Sequence, residues 1–367
     1  MAPVDKDFIN REELKAFLVD ALEEDAEDIF EAQELYKTLG IIDEGVVLYD
    51  LLLGLYGEGV LGFYDLEEER LYVVQDAEEL TPLDVLTYSH EYTHGLQQQN
   101  FDLFSKRESI KDNSDKSLAY RALFEGDSTI SETLYMITNM SSEDQAAARQ
   151  ASQEGASDAF SSAPHVIQRT FVFPYREGPQ FVFELYRIEN SWDAVNRAYR
   201  QVPASTEQIL HPEKYQAGEE PEIVEVPDLV GALGEGWTEL TRDTLGEFFL
   251  LAYLETSVPP EQAVAAASGW GGDQYALLKG PEDGSLLASL TTWDSTDDAL
   301  EFNAALMVFT QSRTGGEWEP VTEDGTEHVM DLPGQSIYVS VSEADNVLII
   351  APDRATLDTA RAALAAM

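Results

Sequence analysis

Ser89-His90-Glu91-Tyr92-Thr93-His94 is the stretch from which the rest of this chain is read. Two histidines four residues apart lie on one face of a helix, one turn from each other. That spacing lets two imidazoles hold one zinc ion from a rigid support. Glu91, beside the first ring, is free to take a proton from a metal-activated water, as in the H-E-x-x-H pattern of zinc hydrolases. The flanks predict the helix. Thr81 is a good cap, Pro82 fits the first turn, and Leu83 to His94 contains neither proline nor glycine. The chain has only five histidines, so a chance match to this pattern is rare.

Two histidines and a water leave a place for a third protein ligand. No third histidine follows at the short metzincin spacing. The natural candidate is Glu125, in Leu123-Phe124-Glu125-Gly126-Asp127-Ser128-Thr129, on a helical pattern over residues 117–138. The plainer reading makes Glu125 an exposed helix carboxylate in a glutamate-rich chain.

H-E-x-x-H followed by a glutamate on a second helix resembles the gluzincin clan of zinc metallopeptidases. The resemblance implies a zincin-like, mainly helical catalytic domain, zinc held by His90, His94 and Glu125, and Glu91 as general base in peptide hydrolysis. One departure is clear. The clan's Glu-x-x-x-Asp is here Glu125-Gly126-Asp127, with Thr129 at the fourth place, so Asp127 or Thr129 is expected to orient His90 or His94. Gly62-Phe63-Tyr64-Asp65 ahead of the histidine helix, with Ser205-Thr206-Glu207-Gln208-Ile209-Leu210-His211-Pro212 further on, resembles a group of largely uncharacterised bacterial and archaeal proteins, often exported or lipid-anchored. That likeness spans most of residues 10–300 and favours an extracellular or cell-surface site over a cytoplasmic one.

The composition narrows the partners. Seventy acidic residues face 22 basic ones, a net charge of −48. Such a surface repels nucleic acid and anionic membranes. The acid is spread along the chain and 44% of residues are hydrophobic, so the pattern is a solvated coat of the halophile type rather than disorder. No apolar run reaches transmembrane length. The start, Met1-Ala2-Pro3-Val4-Asp5, has no signal-peptide character. There is no cysteine, hence neither disulfide nor thiolate ligand.

Residues 10–39 read as helical and 46–56 as a second helix. Residues 62–74 read as an aromatic hairpin, either a core hairpin or an edge that binds substrate by strand addition. Residues 105–117 read as a polar loop near the cleft, and 140–162 as a surface helix with a loop. Transition-state charge at a zinc site needs a His, Tyr or Arg donor. His211 is the first candidate and Tyr215 the second. Tyr175 and Arg176, ahead of a helix opened by Gly178-Pro179, are further options. The plainer role for His211 is to cap a turn before Pro212. His165 and His328 are expected in ordinary polar loops.

Residues 219–228 read as a linker. Beyond it, a helix at 245–254, strands at 274–278, 286–292, 336–341 and 347–351, and helices at 297–311 and 355–365 predict an antiparallel sheet with helices. The glycine-rich segment at 269–273 lacks the lysine of a phosphate loop. The expected fold is therefore α+β, with a metallopeptidase domain over 1–222 and a smaller α+β domain over 228–367. The expected function is zinc-dependent cleavage of peptide or protein substrates. The alternatives are a zinc-stabilised, catalytically weak binding protein and a zinc hydrolase of some other amide.

Overall fold

The computed structural model describes residues 3–74, 80–154 and 158–366. Strand β1 (Asp5–Ile9) leads into helices α1 (Arg11–Glu24) and α2 (Ala26–Leu39). The expected single helix over 10–39 is thus two, separated at Asp25, whose ψ of 13 leaves helical geometry. Asn10 caps α1, accepting from the backbone N–H of Glu12 and Glu13, while Glu13 accepts from the Asn10 N–H. Gly40 closes α2 in the left-handed conformation. After α3 (Leu48–Gly59) comes the predicted hairpin, β2 (Gly62–Asp65) and β3 (Arg70–Val74). β1 pairs parallel with β3 and β2 pairs antiparallel with it, so β2 is an edge strand.

Helix α4 (Pro82–Phe101) carries the two histidines. Its start is the predicted one: Thr81 and Asp84 form a reciprocal cap with Pro82 in the first turn. Leu86, His90, His94 and Gln98 recur every fourth residue and are buried, so one stripe of α4 faces inward. Residues 105–117 are not a loop throughout. Asp102, left-handed, ends α4, and its carboxylate caps α5 (Leu103–Glu108). Helix α6 (Ser114–Asn139) then returns antiparallel and packs on α4. The helical part continues through α7 (Ser142–Glu154), α8 (Asp158–Ser162), α9 (His165–Arg176), α10 (Gly178–Glu189), α11 (Asp193–Ala198), α12 (Thr206–Leu210) and α13 (Pro212–Ala217). Part of the 140–162 expectation, residues 155–157, lies outside the described residues.

The remaining elements are α14 (Val230–Leu233), β4 (Thr238–Asp243), α15 (Gly246–Leu254), α16 (Pro260–Ala267), β5 (Trp270–Lys279), β6 (Ser285–Trp293), α17 (Thr296–Thr314), β7 (Glu319–Pro320), β8 (Glu327–Leu332), β9 (Gln335–Ser342), β10 (Asp345–Ala351) and α18 (Arg354–Leu364). Their strands form one antiparallel sheet in the order β4-β5-β6-β10-β9-β8-β7. The chain is accordingly an α+β protein, helical first and sheet-forming second. Alternate residues serve the two faces. Leu277, Leu287, Val339 and Ile350 join a core with α17 and the helical part, whereas Ala276, Leu286, Tyr338 and Ile349 pack with α14 and α18.

The first of these cores is continuous across the whole chain, from Leu35 and Leu39 of α2 through Leu123 and Phe181 to the sheet. Polar bonds cross the same junction. Tyr253 Oη donates to the Leu39 carbonyl at 2.9 Å, and Lys279 Nζ lies 2.6 Å from Glu34 Oε2. The boundary at residues 222–228 separates two topologies that share one interior. Among the described residues no helix is long and apolar enough to cross a membrane.

Candidate metal centre

Helices α4 and α6 place His90, His94 and Glu125 against each other. Glu125 Oε2 lies 3.1 Å from His90 Nε2 and 3.3 Å from His94 Nε2. The rings meet edge-on with centroids 4.8 Å apart. All three side chains are buried. Two glycines let the backbones come this close. A Cβ on Gly126 would stand 2.3 Å from the Gly178 carbonyl carbon, so α10 can cross α6 only at a glycine, directly beside Glu125. A Cβ on Gly95 would meet Val4 at 2.8 Å and Tyr64 at 3.0 Å, where the small sheet rests on α4.

Hydrogen bonds on the far side of each ring fix its tautomer. The Gln97 amide nitrogen donates to the Phe124 carbonyl and to Asp127 Oδ2, both at 3.0 Å. Its oxygen therefore faces His94 Nδ1, at 2.9 Å, and Nδ1 must carry the proton. Ser128 Oγ lies 3.1 Å from the same nitrogen. For His90, Nδ1 faces the Glu132 carboxylate at 3.2 Å and is again the donor. Both neutral rings then turn an Nε2 lone pair toward one carboxylate oxygen. Three acceptors converging on a point require a cation between them, either a proton or a metal ion. Desolvation opposes charge on His90, yet hydrogen bonds to the Glu125 and Glu132 carboxylates carry it up to about 10. Desolvation likewise opposes charge on Glu125, while His94, His90 and Arg121 hold its carboxyl well below the usual range.

The donor set fits zinc. Tetrahedral arms of 2.0–2.1 Å put neighbouring ligand atoms about 3.3 Å apart, close to the separations here. Each Nδ1 is held by a polar partner, as metal-bound histidines require. Glu91 completes the group: ligand atoms of His90, Glu91 and His94 lie within 4.8 Å of one another. Desolvation raises the Glu91 carboxyl, against the pull of His94 and His90.

The expected orienting residues are partly different ones. Asp127 acts on His94 through Gln97 and is itself held by Tyr199 Oη at 2.7 Å. Glu132 holds His90, and Thr129 makes none of these contacts. Glu132 lies seven residues after Glu125, two turns along the same face. That spacing is visible in the sequence.

The structure does not bring His211 or Tyr215 to this cluster. His211 Nε2 is 2.9 Å from Glu247 Oε1, at the junction of α12, α13 and α15. Tyr215 Oη donates to the Gln201 carbonyl at 2.8 Å. The chain folds this segment onto α15, a long-range choice that local spacing does not encode. His165 opens α9 and pairs with Glu255, and His328 lies in β8, so neither sits in a loop. Tyr175, one of the further options, is the one brought to the cluster. Its hydroxyl donates to Glu125 Oε1 at 3.0 Å. Arg121 lies 3.7 Å from the same oxygen. Tyr175 lies in the last turn of α9 and, as expected, just ahead of the helix opened by Gly178-Pro179, α10.

A groove of about 690 Å3 opens over Glu91, His94 and Glu125. One wall is β2 and its turn, the other is α5 and α6, with α1 across it. A second acidic group, Glu207, Glu219 and Asp294, also has metal-like spacing. There Lys214 Nζ already supplies the positive charge, 2.6–2.7 Å from all three.

Comparison with known proteins adds little about activity. A family described as a domain of unknown function (DUF8575) matches residues 235–361, which is the sheet part and excludes the histidine helix. No curated protein matches the chain. No solved structure matches it either.

Proposed function

We propose that this protein is a zinc-dependent peptidase. The observation that carries the reading is the convergence of His90 Nε2, His94 Nε2 and Glu125 Oε2 on one point with the Glu91 carboxylate alongside. His90, His94 and Glu125 would hold the metal. Zinc bound there supplies Lewis acidity, lowering the pKa of water and polarising a carbonyl.

The chain's own groups account for the rest. Glu91 takes a proton from the attacking water and delivers it to the leaving amine, a task that suits a carboxyl raised above its ordinary pKa. Tyr175, whose O–H donates to Glu125 Oε1, and Arg121, 3.7 Å from that oxygen, stand beside the cluster as the donors for charge that develops on the carbonyl. Among the described residues β2 pairs with a strand on one side only and lines the groove, so an extended substrate could add along it. A zinc-stabilised binding protein is the alternative. Glu91 argues against it, since a purely structural site is closed by four ligands and needs no base.

The test is Glu91→Gln, with zinc measured by elemental analysis and turnover by a mixed-peptide digest. The variant should keep its zinc and lose at least ~10²-fold in rate. Cleavage near the wild-type rate would remove the mechanism. Wild-type protein that purifies with no affinity for zinc would remove the metal assignment.

A further inference from the structure

The groove carries a chemical pattern of its own. Part of the lining it shares with Glu91 is aromatic. Phe17 of α1 lies against Phe63 of β2 with centroids 4.4 Å apart, and Tyr56 of α3 against Phe171 of α9 at 5.7 Å. All four rings are half-buried and leave apolar surface facing the groove. In a chain with 70 carboxylates, such surface beside reactive groups marks a place for an apolar side chain.

The charge on the lining is mostly negative. Glu24, Asp25, Asp65 and Glu67 line the groove outside the metal cluster. Two cations line it as well. Arg121 is drawn to Glu125 and Tyr175, which leaves Arg107 alone against four carboxylates. At 0.1 M salt the Debye length is about 10 Å, so these charges act together on a peptide lying in the groove.

Resting on the peptidase reading, we propose that the groove selects extended peptide segments with a bulky aromatic or aliphatic residue beside the bond to be cut. Lysine or arginine is favoured at the flanks and acidic residues are excluded. The apolar side chain packs between the Phe17–Phe63 and Tyr56–Phe171 pairs while the backbone runs along β2. The selection has a corollary: the protein's own acidic segments are poor substrates.

The test uses zinc-loaded Glu91→Gln protein, which binds without turnover, and fluorescein-labelled decapeptides read by anisotropy in about 0.15 M potassium chloride. A central Phe should bind at least ~10-fold tighter than a central Ala, as burial of a large side chain implies. Lysine flanks should bind several-fold tighter than glutamate flanks. Adding Phe17→Ala should remove most of the Phe advantage. Adding Glu24→Lys, at an exposed position that does not threaten folding, should narrow the flank preference. Equal binding of the Phe and Ala peptides, or tighter binding of glutamate flanks, would overturn the proposal. Wild-type cleavage of peptides without regard to these residues would overturn it while leaving the peptidase reading intact. The expected binding pattern with no wild-type cleavage of the same peptides would support the groove and remove the peptidase reading.

Discussion

Replacing Glu132 probes whether the polar partner behind His90 does what the geometry assigns to it. Glu132 Oε2 stands 3.2 Å from His90 Nδ1, and its side chain is 32% exposed. A hydrogen bond to a charged group contributes about 1.5–3 kcal/mol. Solvent screening at that exposure trims it to roughly 1–2 kcal/mol. At 1.36 kcal/mol per factor of ten, Glu132→Ala should weaken zinc binding ~5- to 30-fold. That overlaps the range usual for such outer partners, 10- to 100-fold. Glu132→Gln keeps an acceptor for Nδ1–H without the charge and should lose less. Competition against a chromophoric chelator gives the affinities, and a thermal melt of each apo-protein confirms that folding is retained. The order wild type, then Gln, then Ala is the signature. If the Ala variant binds zinc within twofold of wild type, Glu132 does not position His90, and the tautomer argument for that ring fails.

Other expectations can be checked by melts. Lys214→Met should cost about 2–3 kcal/mol at pH 8, below the full ~3–5 of a broken buried pair, because buried Glu207 can take up a proton. Desolvation already holds the Glu207 carboxyl up at about 7 with the lysine present, so the loss should shrink at pH 6; equal losses at both pH values would contradict this. Asp273 accepts hydrogen bonds from the Leu245 and Gly246 N–H groups and from the Trp270 indole, but desolvation holds it at about 6. A raised carboxyl stabilises the fold fully below its unfolded pKa of about 3.9, and that contribution, ~3 kcal/mol for a two-unit shift, is lost as pH rises through about 6. Asp273→Asn should therefore flatten the decline of stability between about pH 4 and 7, and an unaltered slope would count against it. With a net charge of −48, the melting temperature should climb between roughly 0.1 and ~2 M potassium chloride; a flat or falling series would remove the halophile reading.

The parts legible in the sequence were those fixed by local spacing. Thr81-Pro82 marks the start of α4, Gly40 the end of α2, and residues 62–74 a hairpin, because caps and turns are short-range chemistry. His90, His94, Glu91 and Glu125 follow helical periods on two long helices. What escaped depends on distant partners. β1 reads Asp-Lys-Asp-Phe-Ile, a polar start that becomes a strand only by pairing with β3. Tyr175 reaches Glu125 across fifty residues, with a Pro174 that reads as a break inside α9. His211 carries the chemistry wanted at the site, but Glu247 on α15 claims it. Gly126 reads as a flaw in a helix until Gly178 is seen against it.

The interior shared by the two topologies bears on what the matched family can be. Residues 235–361 include the sheet and α17 but omit α2, α6 and α10, which cover the same core. Expressed by itself, that segment would turn Leu251, Tyr253, Trp270 and their neighbours toward water. The matched segment is thus shorter than the interior it helps to build. A substitution on the core face of α6, the helix that carries Glu125, therefore reaches the interior of the sheet part as well.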